Sequence, residues 1–162
     1  MMLYLAGSSR PDIVYAVHQC ARFFHNPKRS HGVGLKYIAR YLRVTRNKGL
    51  IMVPNLDDMK LDLFTDADFA GLYSMEDSED PVIVKSRTGL LLNYGDVPIC
   101  WSSKLQTKIV LSTLKAEYIT LSQGMRELVA ARRLVLELCS KIHFNIKHAS
   151  TVSCAWEDNV GS

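Results

Sequence analysis

Cysteine is sparse and scattered in this sequence. The four present, Cys20, Cys100, Cys139 and Cys154, form no CxxC pair. That spacing argues against a disulfide framework or a zinc site and for reduced thiols. Long apolar runs are missing too, so no segment reads as a membrane span. Met1-Met2-Leu3-Tyr4-Leu5-Ala6 lacks the basic flank and extended apolar stretch of a signal peptide. These absences predict a cytoplasmic or nuclear protein that is not secreted and has no membrane partner. There is no internal repeat and no low-complexity tract. Ser102-Ser103 has no His or Asp at a triad-like spacing, which speaks against a serine hydrolase.

Acid is also nearly absent from the front of the chain. Residues 1–56 hold nine Lys/Arg and one acid, Asp12, whereas residues 57–162 hold eleven Lys/Arg and fifteen acids. The net charge of +4 hides this division. A basic front suits a phosphate backbone and an acidic back suits cations, although solvated helix faces would give the same pattern. The hydrophobic fraction of 48% is enough for a real core.

Pro11, after Ser8-Ser9-Arg10, opens a helix whose apolar positions run from Ile13 to Phe24 and which Asn26-Pro27 ends. A second helix is predicted over about Ser30 to Thr45, with Ile38, Tyr41 and Leu42 as its apolar stripe. Lys36, Arg40 and Arg43 stand on another face of it and are the candidate nucleic-acid contacts. Residues 50–58 read as a short strand and a turn. From Lys60 the period changes to two: Leu61, Leu63 and Thr65 face one way, Asp62, Phe64 and Asp66 the other. Residues 68–86 read as a solvated loop carrying Glu76, Asp77, Glu79 and Asp80. Strands follow at about Thr88–Tyr94 and Pro98–Ser102, joined by a turn at Gly95-Asp96. A long helix capped by Ser112 or Thr113 runs to Leu138 or beyond, with an apolar stripe of Leu114, Tyr118, Leu121, Met125, Leu128, Val135 and Leu138. A short fourth strand at 151–156 ends at Glu157-Asp158-Asn159. Three strands, a long helix and a further strand make an α+β arrangement.

Three acids in that order invite a functional reading. Asp66 ends the first strand, Glu117 lies on the long helix beside the apolar stripe, and Asp158 ends the fourth strand. Carboxylates brought together repel unless cations or hydrogen bonds compensate, and such oxygen-rich clusters suit Mg²⁺ or Mn²⁺. Taken singly, each acid reads as a surface charge or a cap.

The motifs themselves point further. Leu63-Phe64-Thr65-Asp66-Ala67-Asp68-Phe69-Ala70-Gly71, Lys85-Ser86-Arg87-Thr88-Gly89, Trp101-Ser102-Ser103-Lys104-Leu105-Gln106, Leu111-Ser112-Thr113-Leu114-Lys115-Ala116-Glu117-Tyr118-Ile119 and Glu157-Asp158-Asn159 follow one another in order. Together they resemble the ribonuclease H domain of copia-type LTR retrotransposon polyproteins, over about residues 57–162. Ser9-Arg10-Pro11-Asp12-Ile13, His31, Lys36, Arg40-Tyr41-Leu42 and Thr45 are similar to the thumb or connection segment between reverse transcriptase and ribonuclease H, over residues 1–56. Val44 and Lys115 depart from the family pattern.

The resemblance implies a ribonuclease H-like mixed sheet with a long helix, incomplete at its C-terminus and preceded by a two-helix segment. It implies cleavage of the RNA strand of an RNA–DNA hybrid with two Mg²⁺ or Mn²⁺ ions: Asp66 bridging both, Glu117 on one, and Asp158 on the other. Asp68 would be a supporting group or a loop cap. The partners implied are an RNA–DNA hybrid or other nucleic acid and the remainder of the reverse transcriptase. The family's fourth carboxylate lies beyond Asp158 and is not in this sequence. His143 and His148 precede Asp158 and do not replace the family's later histidine. The competing expectation is therefore an inactive remnant that at most binds nucleic acid.

Overall fold

A computed structural model describes residues 1–71, 83–142 and 153–157 of the chain. The acidic loop residues Glu76, Asp77, Glu79 and Asp80, the histidines His143 and His148, and Asp158 lie outside the described residues. The chain divides into two compact units, Met1–Ile51 and Met52–Ser162.

The first unit is helical. Its elements are α1 (Met2–Ser8), a 3₁₀ turn at Pro11–Ile13, α2 (Val14–Arg22) and α3 (Arg29–Val44). The sequence predicts two helices here, and α1 is the addition. It forms because Ala6 is fully buried in a cluster with Ile13, Val17 and Ile38, so tertiary packing holds a seven-residue helix too short to stand alone. Pro11 opens the 3₁₀ turn as expected. The start of α3 is capped reciprocally: Lys28 N–H donates to His31 Nδ1 at 3.0 Å, and the His31 ring stacks on Phe23 with centroids 4.2 Å apart.

The Ser9-Arg10-Pro11-Asp12 motif has a structural task. Arg10 donates through Nε and Nη2 to both Asp12 oxygens at 2.9 and 2.7 Å. Nη2 also reaches Thr45 Oγ1 at 2.7 Å, and Tyr41 OH donates to Asp12 Oδ2 at 2.8 Å. The guanidinium lies over the Tyr41 ring, 5.5 Å from its centroid. Two charges, a phenol and a hydroxyl thus tie the entry of α2 to the last turn of α3. This arrangement holds Asp12 below the usual carboxylate range, first through the Arg10 hydrogen bond and then through Tyr41.

The second unit is an α+β sheet of the ribonuclease H-like kind. β1 (Leu61–Asp68), β2 (Arg87–Tyr94), β3 (Val97–Leu105), α4 (Thr113–Ile142) and β4 (Ser153–Glu157) follow in order. The sheet order is β3-β2-β1-β4. β1–β2 and β2–β3 are antiparallel and β1–β4 is parallel. A parallel neighbour needs a crossover, and α4 lies in that connection. The hairpin turn falls at Gly95-Asp96, both in the left-handed region at φ 54° and 66°, as a tight two-residue hairpin requires. Pro98 is tolerated because β3 is an edge strand.

Two expectations are corrected here. No strand forms at residues 50–58. Pro54 offers no N–H, the Asn55 side chain accepts from Asp57 N–H at 3.3 Å, and Asn55 N–H donates to the Gly95 carbonyl. This segment is a loop pinned under the hairpin. The buried stripe of α4 differs in part: Leu128 is buried and Val135 packs on the core as expected, but Ala116, Thr120 and Gly124 make up the rest of the sheet-facing row, while Leu114, Tyr118, Met125 and Leu138 are exposed. Small residues win that face because the helix lies very close to the strands. A Cβ on Gly124 would fall 2.9 Å from Leu63 Cδ2 and 2.9 Å from Thr65 Cγ2. The core is completed by Leu61, Leu63, Leu92 and Leu128. Leu63 is fully buried, so its truncation to Ala would cost about 2–5 kcal/mol.

Candidate functional site

The order of contacts along α4 fixes its direction over β1. Thr120 hydrogen-bonds Thr88 at 3.0 Å, and Thr88 stands opposite Ala67. Gly124, one turn on, meets Leu63 and Thr65. Leu128 joins Leu61 and Leu63. The helix therefore runs back along β1, and its first turns lie at the C-terminal end of that strand. Glu117 is half-buried on those turns, next to the fully buried Ala116. It precedes Thr120 by three residues, about 4.5 Å of helix rise. Ser112 caps the helix, its Oγ accepting from Lys115 N–H at 3.3 Å.

Asp66 stands near the same end of β1. Leu63 and Thr65 point at α4, so strand alternation puts Asp66 on the opposite face of the sheet, where it is exposed. Its cross-strand partner on β2 is Gly89, so that strand puts no side chain beside the carboxylate. Asp68, two residues on, is turned back into its own loop: a Cβ on Gly71 would collide with its carboxylate, and Ala70 between them has φ 48°. This fits the loop role expected of Asp68.

Asp66 and Glu117 thus share one end of the sheet, but no hydrogen bond or ion pair joins them. Among the described residues no group of three His, Cys, Asp or Glu is close enough to hold a metal ion. Asp158 lies outside the described residues; β4 is described as far as Glu157, which pairs with Thr65.

Among the described residues neither Asp66 nor Glu117 carries a protein hydrogen bond or ion pair, and the side chains of Asp57 and Glu127 are alike in this. Asp12, Asp58, Asp62 and Glu137, by contrast, are each held by an Arg or Lys. Lys60, bonded to Asp58 with Asp62 near, is raised above its ordinary value mainly by the Asp58 hydrogen bond. Carboxylate oxygens are the hard donors that Mg²⁺ and Mn²⁺ take.

The candidate nucleic-acid contacts Lys36, Arg40 and Arg43 are all exposed on α3, away from the buried Ile38. Arg40 lies over the Tyr37 ring, 5.8 Å from its centroid. Arg29, at the first position of α3, extends the same stripe by two turns. It escapes a reading that begins the helix at Ser30, although its spacing of seven from Lys36 marks it.

The chain is 37% identical over 137 residues to the retrovirus-related Pol polyprotein from transposon TNT 1-94 of Nicotiana tabacum, covering 85% of this chain and 10% of that protein. It is 34% identical over 159 residues to the Pol polyprotein from transposon RE1 of Arabidopsis thaliana, covering 98% of this chain and 10% of that protein. It is 32% identical over 128 residues to secreted RxLR effector protein 161 of Plasmopara viticola, covering 79% of this chain and 84% of that protein. The chain is thus similar to one stretch of retrovirus-related Pol polyproteins from transposons. It spans about a tenth of the length of the transposon polyproteins it matches. No family model matches the chain, and no solved structure matches it.

All four cysteines are free thiols. No helix among the described residues is long and apolar enough to cross a membrane. Trp101 is half-buried on β3 opposite Leu91, a sheet-face aromatic.

Proposed function

We propose that residues 57–162 act as a ribonuclease H-type domain of a retrotransposon polyprotein, cutting the RNA strand of an RNA–DNA hybrid. What supports this reading is the similarity to transposon Pol polyproteins, together with Asp66 on β1 and Glu117 on α4 standing near the same end of the sheet, Asp66 on the face away from α4. Asp158 is the third carboxylate by sequence, directly after Glu157. These three would hold divalent ions, which when bound supply an activated water and neutralise charge at the scissile phosphate. The chain's own contribution is a rigid sheet end on which carboxylates are fixed before substrate arrives.

The basic stripe of α3 supplies substrate affinity in this reading. Arg29, Lys36, Arg40 and Arg43 would contact phosphates without reading base sequence, while recognition of the RNA strand would rest on backbone shape and 2′-hydroxyls.

The test is cleavage of a labelled RNA–DNA hybrid by the purified chain with Mg²⁺, with Mn²⁺ and with chelator. The expected result is metal-dependent cutting of the RNA strand, lost in Asp66→Asn and in Glu117→Gln. Cutting that survives Asp66→Asn would overturn the assignment. Binding of the hybrid by the folded chain with no cutting under any metal would instead make it a nucleic-acid-binding remnant of the family.

A further inference from the structure

Gln106 lies just past the end of β3, is almost wholly buried at 4% exposure, and belongs to no periodic pattern. Its backbone N–H donates to the Ser86 carbonyl at 2.9 Å, which holds it against the start of β2. Its side-chain Nε2 donates to the Ala116 carbonyl at 2.9 Å and reaches Thr120 Oγ1 at 3.2 Å and Thr88 Oγ1 at 3.4 Å. Thr88 and Thr120 are themselves bonded at 3.0 Å and each 1% exposed. A single buried amide therefore joins two strands to the first turns of α4.

The point of attachment matters. The Ala116 carbonyl and the Glu117 nitrogen belong to one planar peptide unit. A donor fixed to that oxygen also fixes the nitrogen and Cα of Glu117. The opening turns of a helix are the part that frays, because their N–H groups lack intrahelical partners. Here the Ser112 cap acts from one side and Gln106 from the other.

We infer that Gln106 is a positioning residue for Glu117, holding that carboxylate at the sheet end where it serves as a metal ligand. The inference rests on the reading of Glu117 in the proposed site. Gln106 touches neither metal nor substrate and acts only through the Ala116–Glu117 peptide. Its own Oε1 has no partner among the described residues, so the amide is not an optimal filler for stability alone. Met in its place keeps the volume but takes a donor away from the Ala116 carbonyl and two buried hydroxyls, so some loss of stability is expected from a structural role alone. A positioning role adds weaker metal binding by the chain that is still folded.

The experiment uses the full chain and two readouts. Hydrogen exchange of the segment 112–121 reports the anchoring directly, and Mn²⁺ binding followed by electron paramagnetic resonance reports the site. In Gln106→Met, under conditions where the chain stays folded, the expected results are faster exchange in 112–121 than in the rest of the chain, and Mn²⁺ affinity weakened about tenfold or more, as for lost partners behind metal ligands. Gln106→Glu, which offers a carboxylate to the Ala116 carbonyl, should do the same or worse. Unchanged exchange in both variants overturns the inference. Faster exchange with unchanged Mn²⁺ affinity also overturns it, since Glu117 would then not depend on the anchor. If the wild-type chain binds no Mn²⁺ at all, the metal reading of Glu117 fails by itself. The exchange result then still decides whether Gln106 fixes that peptide.

Discussion

Gly124 meets Leu63 across the helix–sheet interface so closely that a Cβ would fall 2.9 Å from Leu63 Cδ2. Thr65 stands at the same distance, and Leu90 Cδ2 at 3.1 Å. Gly124→Ala gains about 1 kcal/mol of helix propensity. It also inserts a methyl among three packed side chains, one of them the stiff, β-branched Thr65, at a cost of about 1–3 kcal/mol. The second effect should win, leaving the variant less stable by about 1 kcal/mol, and Gly124→Val less stable still. Urea denaturation checks this. A Gly124→Ala chain more stable than the wild type would mean that α4 can lift from β1 freely, and the close approach would lose its meaning.

Gly95 has a different reason to be glycine. Its φ of 54° is in the left-handed region, and a Cβ there would lie 2.7 Å from Met59 Sδ. Gly95→Ala should destabilise the chain by about 1–2 kcal/mol from backbone conformation alone, with the Met59 side chain forced aside. Thermal unfolding measures the loss, and no change in midpoint would count against this turn geometry.

That turn was legible in the sequence because Gly-Asp between two apolar runs has a direct conformational meaning. So was the alternation of Leu61, Leu63 and Thr65 against Phe64 and Asp66, since a strand allows only two faces. The Ser112 cap was legible for the same kind of local reason. The buried face of α4 was legible only in its later turns, at Leu128 and Val135. Leu114, Tyr118 and Met125 recur at helical spacing, but so do Ala116, Thr120, Gly124 and Leu128, and periodicity does not say which stripe a sheet will take. The choice depends on how near the strands come, which only the fold fixes. Residues 50–58 misled for a related reason: Ile51 and Val53 have strand propensity but no neighbouring strand to pair with, and both are exposed. For the candidate site, sequence order supplied the carboxylates. The Gln106 anchor was hidden because its side-chain partners lie on two other elements, β2 and α4.

Asp12 should make the helical unit acid-sensitive. Arg10 and Tyr41 hold its carboxyl below the usual range, so the folded state favours the charged form. The stabilisation is complete above the ordinary carboxylate value of about 3.9 and is lost as pH falls through the lowered one. Asp12→Asn should therefore be less stable than the wild type at neutral pH, by an amount that shrinks below about pH 4. Stability measured by denaturant titration from pH 7 to pH 2.5 gives both curves. Curves that stay parallel into acid would show that the Arg10–Asp12–Tyr41 cluster does not set the titration.

The stripe Arg29, Lys36, Arg40 and Arg43 makes a prediction independent of catalysis. If these side chains neutralise phosphates, binding of an RNA–DNA hybrid should weaken linearly on a log–log plot against salt. Each contact contributes about 0.9 to the slope for a duplex. Replacing Lys36 by Gln should lower the slope by about one and weaken binding alike for hybrids of different sequence. Arg40→Lys should keep the slope, because the charge remains, yet lose some affinity where the planar guanidinium is used. Fluorescence anisotropy across a salt series separates the two effects. A slope unchanged in Lys36→Gln, Arg40→Gln and Arg43→Gln together would remove α3 from the interface. The affinity would then have to come from other cations of the front, such as Arg29, Arg46 and Lys48, or from those of the acidic half.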